Sequence, residues 1–305
     1  TSKRQEQNTM YYNGNYTYEE AVKDTNTDGT IDIKPLNMRF DVGTTCDLAC
    51  VHCSSVFSTK WYELNNAMYG DSMIPEKFNW LDNKELINGI IPMIKSANIV
   101  KFSGGEPLLN KQHKVLLQAI IDNNPGMHLT YHTNSANFTE EYIDLWNKLD
   151  GRISLTISMD GIKDKLEYFR WPVNWDNILK KWEMLHKLKH GAKVTVVYSL
   201  NLFNVMYVKD DVEFLRNEMP YPLYKDYPVS YNFVWKPAFM HGGLLPDKIK
   251  DTIKTDYNNH TLQAYLKGEK YDAAKIKKFK EYVGRLDKAR NTNFAETYPE
   301  LMNAI

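Results

Sequence analysis

From Asn37 to Trp235 the chain alternates between short runs that read as β-strands and longer runs with helical spacing, about six times over. The strand-like runs are Asn37–Gly43 (NMRFDVG), Asn98–Ser103 (NIVKFS), Met127–Thr133, Arg152–Met159 (RISLTISM), Ala192–Ser199 (AKVTVVYS) and Val229–Trp235. Between them, Asp82–Ala97 places Leu86, Ile87, Ile90, Ile91 and Ile94 on one helical stripe, and Lys111–Asp122 does the same with Val115, Leu116, Ala119 and Ile120. Thr139–Leu149 is a helix that Thr139 can cap, and Trp175–Lys189 and Lys209–Glu218 complete the series. Strands separated by helices must pair in parallel through right-handed crossovers. Roughly 200 residues of this pattern approach the size of a (β/α) barrel. The expectation is an α/β fold, a partial (β/α)6 TIM-like barrel over residues 36–240. Residues 1–35 form a polar N-terminal extension, and residues 241–305 a mostly helical C-terminal extension, with helices at Asp247–Leu266 and Ala273–Lys288. In such folds chemistry sits at the carboxyl ends of the strands, so the residues just after each strand are the ones to search.

Composition narrows the function classes. Thirty-eight Lys and Arg balance 38 Asp and Glu, which gives no electrostatic case for nucleic acid or a membrane surface. Lys/Glu runs such as DKIKDTIK read as solvated helix faces. No apolar run approaches a membrane span, and the opening TSKRQEQNTM is too polar for a signal peptide. Three cysteines cannot make a disulfide framework, and so sparse a count fits a reducing, cytoplasmic setting in which thiolates serve as metal ligands. Asp24–Asp32 (DTNTDGTID) imitates the start of a calcium loop, but the twelfth position is Pro35, which has no side-chain oxygen. An Asp/Asn/Gly turn is the better reading.

All three cysteines fall in one stretch, Cys46-Asp-Leu-Ala-Cys50-Val-His-Cys53, directly after the first strand. Structural zinc wants four ligands, and His52 is badly placed to be the fourth beside Cys53. A 4Fe–4S cube has four irons, so three thiolates leave one iron open to a small molecule. Zinc completed by a distant histidine, and three buried cysteines with no metal, remain alternatives on these residues alone.

The C-x3-C-x2-C spacing after the first strand, with an aromatic-type residue before the third cysteine, resembles the radical S-adenosylmethionine (SAM) superfamily. Later strand ends carry further resemblances. Ser103-Gly104-Gly105-Glu106-Pro107 is similar to the family's GGE motif, which holds the SAM amino group; Thr133-Asn134-Ser135 resembles its TNG segment, with Ser for Gly. Ser158-Met159-Asp160-Gly161 followed by Arg170 resembles the S-x-D-G…R pattern of the peptide-modifying branch that includes sulfatase-maturing enzymes. The resemblance implies that Cys46, Cys50 and Cys53 hold one 4Fe–4S cluster, with His52 near the adenine. It also implies that Gly104, Gly105 and Glu106 receive the amino group, Asn134, Ser158 and Asp160 lie near the cofactor, Arg170 meets the SAM carboxylate, and Asn201 adds a polar contact. Asp47 stands where relatives commonly have Asn.

The activity implied is reductive cleavage of SAM to a 5′-deoxyadenosyl radical that abstracts a substrate hydrogen. The electron would come from a flavodoxin- or ferredoxin-type donor, and the substrate would be a peptide or protein. A small metabolite, nucleotide or sugar is the second reading, and a non-catalytic metal-binding module the third. The stretches YFRWPVNWDNILKKW and LDKARNTNFAETYPEL most resemble twitch-domain members, many of them from phages. Such domains hold auxiliary clusters through additional cysteines, and this chain has no cysteine after Cys53. Ser54–Asn79, rich in Tyr, Trp, Phe and Met, is a candidate cover for the site; His132 and His241 follow strand ends and are expected to face it.

Overall fold

A computed structural model describes residues 18–31, 37–70, 80–254 and 259–305. Six parallel strands carry the molecule: β1 (Asn37–Asp41), β2 (Ile99–Ser103), β3 (His128–Thr133), β4 (Ile153–Ser158), β5 (Ala192–Leu200) and β6 (Val229–Phe233). They pair in sequence order, β1-β2-β3-β4-β5-β6. A doubly wound sheet reverses its strand order and covers both faces with helices. Here the order never reverses, so the crossovers stay on one side and the sheet is a partial (β/α)6 barrel with a concave face of its own.

The register fixes which residues share that concave face. Arg39 lies opposite Lys101, Lys101 opposite Thr130, Thr130 opposite Ser154, and His132 opposite Thr156. Ser158 lies opposite Val197, and Ser199 opposite Asn232. The alternate positions carry Phe40, Phe102, Tyr131, Leu155, Val194 and Tyr198. Because side chains alternate along a strand, every strand sends apolar groups outward to the helices and mostly polar ones inward. The outward layer is tightly aromatic. Phe102 stacks on Tyr131 at 5.1 Å and meets the His113 ring edge-on at 4.6 Å. Tyr131 accepts from Trp146 Nε1 at 3.2 Å. Burial holds His113 down to about 3, so this histidine is a neutral packing residue.

The helices follow from capping and amphipathic spacing. After α1 (Tyr18–Asp24) and α2 (Lys60–Tyr69) comes α3 (Lys84–Ile94), whose cap Asn83 accepts from the backbone of Glu85 and Leu86. Next come α4 (His113–Asn123) and α5 (Glu140–Trp146), with Thr139 accepting from Tyr142 N as the sequence led one to expect. Then follow α6 (Lys163–Phe169), α7 (Trp175–Glu183) and α8 (Val208–Asn217). The helix expected over Trp175–Lys189 ends its α-form at Glu183 and finishes as a 3-10 turn, Met184–Lys187.

The extension beyond residue 240 is helical: α9 (Asp247–Lys250), α10 (Asn259–Lys267), α11 (Ala273–Arg290), α12 (Phe294–Thr297) and α13 (Pro299–Ala304). The single helix expected over Asp247–Leu266 is not formed, since α9 stops after one turn and residues 251–254 are a turn and irregular backbone. The expected helix over Ala273–Lys288 forms as α11, started by Asp272, which accepts from Ala274 N and Lys275 N. Its apolar stripe includes Phe279, seated against Phe203 at 4.8 Å. Among the described residues no helix is long and apolar enough to cross a membrane.

Of the calcium-loop imitation, Asp32 and Pro35 lie outside the described residues. The described part is a turn in which Asp28 accepts from Thr30 N at 2.9 Å and Thr30 Oγ1 at 2.6 Å.

Candidate active site

The three cysteines share one cavity of about 540 Å3 with Thr44, His52, Gly104, Gly105, Asn134, Ser158, Arg170 and Ser199. It lies beyond the carboxyl ends of the strands and continues onto the concave face at Arg39, Asp41 and His132.

The cysteine loop has few backbone partners within itself, so the rest of the molecule supplies them. Ala49 N and Val51 N donate to the carbonyls of Trp171 and Phe169 at 2.7 and 2.8 Å. Its carbonyls accept from side chains on two separate parts of the chain. Thr59 Oγ1 donates to Cys46 O at 3.0 Å, Ser58 Oγ to Leu48 O at 2.6 Å, and Trp61 Nε1 to Cys50 O at 3.1 Å. From α11, Arg290 Nη2 donates to Ala49 O at 2.5 Å and Tyr282 OH to Val51 O at 2.8 Å. Buried carbonyls left unpaired are costly, and these bonds fix the loop's path.

The Gly104-Gly105 pair has a local cause. Ser103, Gly105 and Glu106 extend the β1–β2 pairing past the strands: Val42 N donates to Ser103 O, Gly105 N to Gly43 O and Glu106 N to Thr45 O, all at 2.7–2.8 Å. A Cβ on Gly105 would fall 2.3 Å from Thr45 O, and one on Gly104 would fall 2.8 Å from Gly43 O. Gly104 also has φ +108°, a conformation open chiefly to glycine. The close approach these glycines permit is that of the backbone leading into the cysteine loop.

Glu106 is buried at 1% exposure and lies off the cavity wall. Its carboxylate accepts from Thr133 Oγ1 at 2.8 Å, Leu108 N at 3.1 Å and Asn134 N at 2.7 Å. Burial raises it to about 7 against the pull of these donors. In the structure Glu106 therefore holds the end of β3, and through it Asn134. Asn134 Nδ2 in turn donates to Asp47 at 3.2 Å, and Asn137 Nδ2 donates to the same carboxylate at 3.0 Å. Ser135 has φ 62°, a conformation that glycine adopts most easily.

Arg170 and Asp160 form a buried ion pair at 2.5 Å. Asp160 also accepts from Ser199 N at 2.7 Å and lies off the wall, beneath Arg170. Arg170 Nη1 faces Cys50 Sγ at 3.5 Å. His52 stacks on Phe169 at 5.3 Å, and burial pushes its imidazole toward the neutral form although Asp160 stands 3.9 Å away. Asn201 does not reach the cavity. Its amide serves its own turn, donating to Ser199 O and accepting from Phe203 N. His132 lines the cavity, whereas His241 packs against Trp235 and Tyr265. Thr44 and Ser199, both on the wall, carried no motif in the sequence; their one signal was position at the end of a strand. Of Ser54–Asn79, residues 71–79 lie outside the described residues, while Val56 and Phe57, about 60% exposed, form an apolar lip on the cavity.

Three buried side-chain atoms on this wall have no hydrogen-bond partner among the described residues: Thr44 Oγ1, His52 Nδ1 and Arg170 Nε. Burial also pushes the Cys50 thiol up to about 12 and raises Cys46 and Cys53. Thiols so disfavoured as free anions are suited to a cationic metal partner. Among the described residues no three His, Cys, Asp or Glu side chains are gathered tightly enough for a single ion. Structural zinc takes four ligands on one ion, whereas a cluster spreads its thiolates over separate irons. The donor set fits a cluster with a polar organic ligand beside it.

Residues 41–215 match the family model described as the radical SAM superfamily. The match covers more than half of the chain, and the chain belongs to that superfamily of enzymes. Membership implies a 4Fe–4S cluster, SAM and a reductant. A curated protein of Natranaerobius thermophilus, a probable dual-specificity RNA methyltransferase RlmN, is 24% identical over 57% of this chain and 53% of its own length. Among solved structures, anSMEcpe with bound AdoMet aligns at 15% identity and TM-score 0.47 over 67% of this chain and 52% of its own. Streptococcus suis SuiB bound to precursor peptide SuiA aligns at 17% identity and TM-score 0.42 over 88% and 51%. The chain thus spans about half the length of these relatives.

Proposed function

We propose that this chain is a radical SAM enzyme with one 4Fe–4S cluster, acting on a peptide or protein. The observation that carries the reading is the single cavity shared by Cys46, Cys50, Cys53 and the buried Arg170, whose Nε has no hydrogen-bond partner among the described residues. Cys46, Cys50 and Cys53 would hold the cluster; these 305 residues carry no other cysteine for a second. Arg170, fixed by Asp160, would take the SAM carboxylate through the guanidinium N–H groups that Asp160 and Cys50 leave unused. Asn134, Ser158 and the Gly104-Gly105 backbone would line the nucleoside and amino-acid portions, and His52 would stand near the adenine. When bound, the cluster and SAM supply a 5′-deoxyadenosyl radical after one-electron reduction by a flavodoxin- or ferredoxin-type donor.

The protein's own contribution is placement. Asp160 keeps Arg170 oriented and its charge balanced within the wall. Glu106 fixes Asn134, and Phe169 fixes the plane of His52. Val56 and Phe57 would close over bound substrate and exclude water. We place the barrel at residues 36–240 and the extension at 241–305, with α11 serving as the back support of the cysteine loop. The peptide class is supported by the Ser158-Met159-Asp160-Gly161…Arg170 pattern. The test is anaerobic reconstitution with iron, sulfide and reductant. The expected result is conversion of SAM to 5′-deoxyadenosine and methionine, abolished in Cys50→Ala. A protein that takes up one zinc and never cleaves SAM would refute the reading.

A further inference from the structure

We propose that the concave strand face next to the cysteine cavity binds an oxyanion of the substrate, a carboxylate or a phosphate, between Arg39, Lys101 and His132. The inference rests on the proposed function only in taking this face as the substrate side, and it deepens that reading by naming a substrate charge. Arg39 and Lys101 are register partners on neighbouring strands. Like charges directly opposite each other destabilise a sheet unless something balances them. The one carboxylate on this part of the face among the described residues is Asp41. It is engaged by Arg39 Nη2 at 3.0 Å and accepts the Ser103 hydroxyl in a short hydrogen bond. The Lys101 ammonium makes no hydrogen bond or ion pair among the described residues, although it is partly buried and feels the charges of Arg39 and Asp41.

His132 completes the group from β3. Burial and the neighbouring Lys101 and Arg39 hold its imidazole down to about 4, so it stands as a neutral hydrogen-bonding group facing two cations. The local balance is two fixed cations against one carboxylate. The Arg39 side chain remains 61% exposed, open to a ligand from the cavity side. Arg39, Asp41, Ser103 and His132 line the same cavity as the cysteines, so an anion held here is part of a molecule whose other end reaches the cofactor side. Hydroxyls of Thr130, Ser154 and Thr156 continue the face beyond it, which suits a polar substrate.

The test uses the full chain and a readout independent of SAM cleavage. Inorganic phosphate and succinate are titrated separately by calorimetry, and the His132 imidazole is followed by nitrogen-15 NMR. Saturable binding of at least one probe with a shift at His132 is expected. Arg39→Gln and Lys101→Gln should each weaken it about tenfold or more. Lys193→Gln should leave it unchanged, because that ammonium is engaged over the rings of Tyr224 and Tyr227. Tighter phosphate supports a phosphoryl-bearing substrate and tighter succinate an acidic peptide residue; either sustains the site. No saturable binding, or binding that Lys101→Gln leaves intact, overturns it. Failure of SAM cleavage alone would sink the proposed function and leave this result standing.

Discussion

Arg290 Nη2, in the last turn of α11, donates to the carbonyl of Ala49 at 2.5 Å across 241 residues of sequence. The same guanidinium donates to Tyr168 O at 3.1 Å and lies 5.6 Å from the ring centres of both Trp61 and Trp171. A C-terminal helix thus reaches into the middle of the cysteine loop and ties it to the end of α6. Arg290→Met leaves two buried carbonyls unpaired, which should cost roughly 2–4 kcal/mol. Tyr282→Phe removes only the bond to Val51 O and should cost about 1 kcal/mol. Both are read by urea unfolding, together with iron retained after reconstitution. The expected order of iron loss is Arg290→Met, then Tyr282→Phe, then wild type. Equal iron retention in all three would show that the helix does not support the loop.

Two glycine substitutions should act in opposite directions. Gly105→Ala places a methyl group 2.3 Å from Thr45 O, a backbone atom that cannot turn aside. It should destabilise by about 1–3 kcal/mol or more and displace the cysteine loop with it. Gly89→Ala, inside α3, meets nothing within 4 Å. It should stabilise by up to about 1 kcal/mol through helix propensity. Denaturant midpoints of the two variants decide the matter.

Asp211 gives the molecule a pH dependence of definite sign. The residue is buried on α8, and Tyr198 OH donates to its carboxyl at 2.5 Å. Burial pushes this carboxyl up to about 7. An unfolded Asp ionises near 4. Between those values the unfolded state binds fewer protons than the native one, so stability falls as pH rises through the window from about 4 to about 7. Glu106, raised to about 7, acts in the same direction. Asp211→Asn keeps an acceptor for Tyr198 and removes the proton. Its stability profile from about pH 5 to about pH 8 should be flatter than wild type by up to roughly 3 kcal/mol. Parallel profiles would contradict the assignment.

The buried pair between Arg170 and Asp160 predicts a graded series. Asp160→Ala strands the guanidinium in the wall and should cost about 3–5 kcal/mol. Asp160→Asn keeps an oxygen for Arg170 or for Ser199 N and should cost less. Thermal unfolding ranks them, and SAM affinity in the reconstituted protein should fall in the same order.

The barrel was legible in the sequence because each strand states its period openly. RISLTISM, for example, becomes a strand whose Ile153, Leu155 and Ile157 face outward and Ser154, Thr156 and Ser158 inward. The loop residues Cys46, His52, Gly105 and Arg170 were legible through motif spacing and through the rule that strand ends carry the chemistry. What could not be read was any relation that depends on distant packing. Glu106 looked like a ligand-facing acceptor, but Thr133 and Asn134 at the end of β3, with Leu108 N in its own turn, donate to its carboxylate. Asn201 ends a strand as a site residue would, yet its amide is consumed by its own turn. Asp247–Leu266 has helical spacing, yet α9 stops after one turn. Nothing local to Arg290 announces Ala49, so the role of the C-terminal helix emerges only in three dimensions.

The proposed function requires one cluster on three cysteines with an iron left for SAM. Iron analysis with electron paramagnetic resonance of the reduced, reconstituted full chain tests it most directly. About four irons per chain are expected, with a reduced-cluster signal that changes when SAM is added. About eight irons per chain, or a signal indifferent to SAM, would contradict it.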